Sequence, residues 1–262
     1  MSIKVAAADG VLRLEWARPE RKNALDVATI RGLVDALEDA ATDDSLRVVL
    51  LAAVGKDFCS GADWVATNTE VGPRPRTGSI QRRTPLQAHR LIELLTEIQL
   101  PVVCAVRGWA AGLGFQMALA ADFTVAADTA RFWEPFIERG FSPDSGATWL
   151  LPRMVGIARA KELLILGRQL SGHEAAEWGL ILRSVPEAEL DGVVADLVST
   201  LAGAPTVAIG LTKRSLQRGL EHGLVGAMEY EAVGLELSSR TADFREGLIA
   251  FREHRRPNFE GR

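Results

Sequence analysis

The 262-residue chain is short of the residues that cross-link proteins and hold metals. It carries two cysteines, Cys59 and Cys104, which give no disulfide framework and no metal-ligand spacing. The four histidines, His89, His173, His222 and His254, form no pattern, so no structural metal is expected. An apolar run near the ~20 residues needed to span a bilayer is also missing. The opening Met1-Ser-Ile-Lys-Val-Ala lacks the apolar stretch of a signal peptide, which leads us to expect a cytoplasmic protein off the membrane. Nor is there an excess of positive charge: 30 Lys and Arg stand against 34 Asp and Glu, a formal net charge of −4. That balance argues against nucleic acid or an anionic membrane as the main partner. No Pro/Ser-rich linker divides the chain.

What the chain does have is one organising stretch, Pro101-Val-Val-Cys-Ala-Val-Arg-Gly-Trp-Ala-Ala-Gly-Leu-Gly-Phe-Gln116. Val102 to Val106 reads as a buried strand, and Gln116 to Ala121 as a run of good helix formers. Between them lies a turn of small residues and glycines. The first backbone N–H groups of a helix lack internal partners, so such a turn is a ready site for negative charge.

On either side the pattern continues. Val11 to Trp16 alternates as a strand, and Asp26 is placed to cap a helix over Val27 to Ala41. Arg47 to Val54 is nearly continuous in apolar residues, as a strand buried on both faces should be. Residues 67–84 are polar and rich in Gly, Pro and Arg, which predicts a mobile surface loop. An amphipathic helix over Leu86 to Ile98 and a short strand over Phe123 to Ala126 follow. Phe132 to Gly140 has no clear type, and Asp144 opens a helix reaching Val155. Helices are expected over Ala158–Leu166, His173–Trp178, Glu187–Ala202, Pro205–Gly219 and Gly223–Leu237, then a last helix and basic tail. Strand–helix units come first and helices afterwards, which predicts an α/β fold with parallel pairing in its sheet.

Two turns stand out together, Cys59-Ser-Gly-Ala-Asp63 and Ala111-Gly-Leu-Gly114. Small residues let a backbone approach a ligand closely. Either both are plain strand-to-helix turns, or the N–H groups of Ala62 and Leu113 converge on one oxygen as an oxyanion hole. In the second case each donor would supply roughly 3–4 kcal/mol to a transition state.

Asn23-Ala-Leu-Asp26, Phe58 through Asp63, Pro101 through Gly114, Ala121-Asp-Phe123, and Gly167-Arg-Gln-Leu-Ser171 through Leu180 together resemble the enoyl-CoA hydratase/isomerase (crotonase) superfamily over essentially the whole chain. The resemblance implies a crotonase-like ββα spiral core over residues 1–200, with residues 201–262 as a helical C-terminal trimerisation and lid portion. It implies a homotrimer or homohexamer acting on an acyl-CoA thioester, with Ala62 and Leu113 N–H holding the thioester oxygen. No separate cofactor is implied, coenzyme A being part of the substrate. Arg21 and Lys22, with Ala24 beyond them, fall where the superfamily meets the CoA phosphates. Ser60, Asp63 and Trp64 border the first turn, and Gly112 belongs to the second. Phe251 and the basic tail resemble the helix that covers CoA, sometimes from a neighbouring subunit.

The chain departs from hydratases of this superfamily at the two glutamates that handle water. Gln116 stands at one position and Phe136 at the other, and neither an amide nor a phenyl ring can exchange the protons that hydration requires. Asp144, where hydratases have glycine, resembles the acid/base of the isomerase branch that includes 1,2-epoxyphenylacetyl-CoA isomerase. The expected activity is therefore acyl-CoA double-bond isomerisation through an enolate with one aspartate. The alternatives are an atypical hydratase or an inactive acyl-CoA-binding paralogue in which Asp144 merely caps its helix. Capping would lower the Asp144 pKa, whereas an apolar pocket would raise it. Glu134 and Glu138 are reserve candidates, expected to be solvated or ion-paired.

Overall fold

The computed structural model describes residues 3–63 and 76–262. Strands β1 (Ile3–Ala8) and β2 (Val11–Trp16) form an antiparallel hairpin in which Ala8 faces Val11. Asp9 and Gly10 both take positive φ, the geometry of a two-residue hairpin turn. From β2 onward the sheet is parallel. β3 (Val48–Ala53), β4 (Val102–Val106), β6 (Phe123–Ala127) and β9 (Arg183–Val185) continue it, giving the order β1-β2-β3-β4-β6-β9. The apolar run expected over Arg47 to Val54 is the third strand, and five of its six residues are buried.

A second sheet is built from three short strands, β5 (Trp109–Ala111), β7 (Arg131–Trp133) and β8 (Leu170–Ser171). β5 runs parallel to β7, and β7 antiparallel to β8. An isolated bridge of Cys59 with Ala110 ties this sheet to the loop that follows β3, and another, of Leu25 with Ala62, ties that loop to the segment after β2. Trp16 marks the centre of the core. Its ring meets Phe58 edge-on with centroids 4.9 Å apart, and Nε1 donates to the Phe58 carbonyl at 2.8 Å.

Helix α1 (Val27–Ala40) starts at Asp26, whose carboxylate accepts from the Thr29 N–H at 2.8 Å, and buries Ile30, Leu33 and Leu37. Within the stretch expected to be a mobile loop, Ser79–Arg83 is a helical turn (α2), followed by a tight 3-10 turn over Thr84–Leu86. The earlier part of that expectation lies outside the described residues. α3 (Ala88–Glu97) packs against α1 and against α4 (Leu113–Ala120), which begins three residues before the expected start. The helix expected to open at Asp144 begins instead at Ala147. It runs to Leu166 as α5, with Gly146 at its N-cap and a break at Gly156 (φ 76°, ψ 165°).

After the short α6 (Gly172–Glu177), α7 (Leu190–Ala202) lies on β3, β4 and β6. The chain ends with α8 (Thr206–Gly219), α9 (Leu224–Ser238) and α10 (Ala242–Arg252). No single helix among the described residues is long and apolar enough to cross a membrane.

Candidate active site

The loop Arg18–Asn23 is locked to the strand ends by a buried asparagine. Asn23 Oδ1 accepts from the Arg18 N–H, and its Nδ2 donates to the Val54 and Asp57 carbonyls at 2.8 and 2.6 Å. Arg18 in turn reaches Asp63 at 3.0 Å and the Ala24 carbonyl at 2.6 Å. Leu25 N–H donates to Gly61 O, and Asp63 N–H donates to Leu25 O. Ala62 is thereby held between two backbone bonds while its own N–H is left over.

Two glycines bring this turn against the next. A Cβ on Gly61 would lie 3.0 Å from Ala111 O and 3.8 Å from Leu113 N. One on Gly114 would strike Cys59 Cβ and O, each at 2.6 Å. Only residues without side chains allow the first turn of α4 to press so closely on the Cys59–Asp63 segment. Leu113 is the first residue of α4, so its N–H has no partner within the helix. Neither the Ala62 nor the Leu113 N–H donates to an acceptor among the described residues. Both residues line one cavity of about 100 Å³, together with Ser60, Asp63 and Gly112.

Phe136, Asp144 and Ser145 also line this cavity. Asp144 is half-buried and does not cap a helix, since the N-cap of α5 is Gly146 and no side chain caps it. Burial raises its pKa above the ordinary 3.8, against the opposing pull of the Ser145 hydroxyl and the His89 imidazole. Of the two senses of shift, the apolar-pocket one is present. Ser145 is buried, takes an unusual positive φ of 51°, and makes no well-formed hydrogen bond through Oγ. On its far side a larger cavity of about 570 Å³ opens between α3, α5 and α8, walled by Ile92, Trp149, Leu150 and Arg214. That cavity is roomier but is lined by neither Ala62 nor Leu113.

The other sequence candidates are scattered. Gln116 is fully buried in α4, does not line the cavity, and donates through Nε2 to Glu134 Oε1 at 2.6 Å. Glu134, expected to be solvated or ion-paired, is neither. It has no exposed surface and no ion pair among the described residues, and burial holds its pKa well above the ordinary value. Packing of β7 against α4 takes it inside. Glu138 is exposed. Arg21 and Lys22 are exposed on their loop, Lys22 Nζ lying 5.5 Å from the Trp109 ring centroid, and Ala24 is half-buried beside them. Phe251 is 83% exposed on α10 and does not line the cavity. Trp64 lies outside the described residues. His89 and Ser145 were not singled out from the sequence. Ser145 is the chain neighbour of Asp144, whereas the place of His89 comes from long-range packing of α3, for which no local motif exists.

A family model described as enoyl-CoA hydratase/isomerase matches residues 6–262. The chain is 38% identical over 255 residues to the 1,2-epoxyphenylacetyl-CoA isomerase of Escherichia coli K12, covering 97% of this chain and 96% of that one. It is 35% identical over 261 residues to a probable enoyl-CoA hydratase of Rhodobacter capsulatus, covering 100% and 98%. Among solved structures, a putative enoyl-CoA hydratase of Streptomyces coelicolor A3(2) superposes with a TM-score of 0.93 at 34% identity, covering 100% and 95%.

Proposed function

The chain belongs to the enoyl-CoA hydratase/isomerase family, and within it we propose that the protein moves a double bond along the acyl group of a CoA thioester. The carrying observation is that Asp144 faces the same small cavity as two backbone donors that have no acceptor of their own. The thioester oxygen sits between Ala62 and Leu113 N–H, where preorganised donors favour the enolate over the ground state. Asp144, ionised, takes a proton from one carbon of the acyl chain. As an acid of raised pKa it returns that proton to another carbon, and the double bond shifts. The balance is one proton removed and one restored, so the reaction consumes neither water nor a redox cofactor.

Support for isomerisation over hydration comes from what surrounds Asp144. Phe136, at the position where hydratases carry a glutamate, is an apolar wall, and the Gln116 amide is turned away from the cavity toward Glu134. The larger cavity beyond Ser145 offers room for the distal part of the acyl group. We further propose that Arg21 and Lys22 meet the CoA phosphates, and that Phe251 and the helices after residue 200 serve as lid and contact between copies in a homotrimer or homohexamer.

The test is Asp144→Asn assayed on 3-enoyl-CoA isomerisation and on crotonyl-CoA hydration. Isomerisation should fall by roughly 10²–10⁴-fold, the range for loss of a general acid/base. In the wild type the acid limb of its pH profile should lie above 3.8, because Asp144 must ionise against burial. Isomerisation that survives Asp144→Asn would remove the mechanism, and fast hydration by the wild type would remove the class of reaction.

A further inference from the structure

Gln116 and Glu134 are an unusual pair. Both are wholly buried, one on the helix that carries the Leu113 donor and the other just after β7. One hydrogen bond joins them, Gln116 Nε2 to Glu134 Oε1 at 2.6 Å. The second polar atom of each group, Gln116 Oε1 and Glu134 Oε2, has no partner. Two buried orphans in neighbouring groups call for an explanation, because an unpaired polar atom away from water is costly.

An amide oxygen only accepts, and so does an ionised carboxylate oxygen, so the two orphans cannot satisfy each other while Glu134 is charged. A single proton removes the difficulty. We propose that Glu134 is a neutral carboxylic acid in this protein, its Oε2–H donating to Gln116 Oε1 while Gln116 Nε2–H donates to Glu134 Oε1. The two planar groups then close a cyclic acid–amide pair with all four atoms used. Glu134 is a positioning residue in this arrangement: the pair fastens the oxyanion helix α4 to the segment that carries Phe136.

Two observations agree. No lysine, arginine or histidine pairs with Glu134 among the described residues, so a charge there would be buried without a counter-ion. The charged group that acts on it is Asp144, a like charge, which together with burial favours the neutral acid. A parallel tie, Gly112 N–H to Trp133 O at 2.9 Å, joins the same two segments.

This inference rests on the reading of Asp144 as the base only for its kinetic test, so two readouts are needed. The first is spectroscopic and needs no turnover. In ¹³C-glutamate-labelled wild type without ligand, one side-chain carboxyl should stay at the protonated chemical shift through neutral pH. The infrared difference between wild type and Glu134→Gln should contain a protonated-carboxyl C=O band, still present in Asp144→Asn. If every glutamate carboxyl is ionised at neutral pH, the neutral pair is overturned, whether or not any variant folds. The second readout is the acid limb of the isomerisation profile. Glu134→Gln leaves two amides that close the same two-bond ring, so the limb should not move. A downward shift of about one unit or more, the size produced by removing a negative neighbour, would mean that Glu134 was charged. A protonated carboxyl together with activity surviving in Asp144→Asn would sink the isomerase mechanism and leave the pair standing.

Discussion

In the proposed mechanism Leu113 acts through an atom that every residue except proline possesses, its backbone N–H. Because it is the first residue of α4, a proline there keeps helical geometry while deleting that donor. Leu113→Pro should therefore retain its far-ultraviolet circular dichroism and lose about 10²–10³-fold in kcat, the worth of one oxyanion donor. Leu113→Ala, which keeps the N–H, should stay close to wild type in the same assay. Equal losses in the two variants would move the role from the backbone to the side chain. At this scale the sequence was legible where chemistry needs a residue type at a spacing. Gly114 permits contact with Cys59, and Asp144 and Phe136 line the cavity that Ala62 and Leu113 share. The sequence misplaced Glu134, expected to be solvated or ion-paired, and gave His89 no role, because the environments of both are set by residues far away in the chain. Nothing between Trp133 and Pro135 announces that the carboxyl will meet an amide on another helix.

Elements that signal themselves locally were read well. Asp26 caps α1 as expected, and Val102 to Val106 is the strand its unbroken apolar character implied. The Asp26 carboxylate accepts both the backbone N–H and the hydroxyl of Thr29, at 2.8 and 2.7 Å. Asp26→Ala should thus lower stability by about 0.5–2 kcal/mol, the usual cost of losing an N-cap. The measurement is urea unfolding, in which the midpoint should fall with the slope unchanged. Its partly exposed ion pair with Arg18 at 3.5 Å adds little. The elements that escaped are short. β5, β7 and β8 span two or three residues each, too few for an alternation to be seen, and they exist because their neighbours supply the pairing. β1 lies outside the strands expected from the sequence, although Asp9-Gly10 is a hairpin-turn dipeptide. The break at Gly156 inside α5 falls in the gap between the helices expected to end at Val155 and to start at Ala158.

Over the whole molecule the parallel order of the main sheet followed from strands alternating with helices, whereas the association of copies did not. Every residue of α9 is at least partly exposed, although Leu224, Val225, Met228, Val233, Leu235 and Leu237 all lie on it. With Leu216 of α8 and Leu220 just after it they leave a large apolar surface in contact with water, more than a lone chain normally presents. For the proposed homotrimer or homohexamer, sedimentation equilibrium should give three or six times the 28.3 kDa chain mass. Placing glutamate at both Val233 and Leu237 should shift that mass toward one chain. A monomeric wild type would refute the assembly.

The close packing that holds the two donor turns together also seals the sulfur beneath them. Cys59 lies against Gly114 with its thiol pushed up to about 12 by burial, and Cys104 on β4 is raised for the same reason. Neither thiol is a nucleophile while the fold is intact, since the thiolate is the reactive form and water cannot reach it. Alkylation can proceed only through openings of the central sheet. The two sulfurs are thus native clocks: the pace at which a maleimide consumes them counts how often the floor of the site comes apart, with no engineered label.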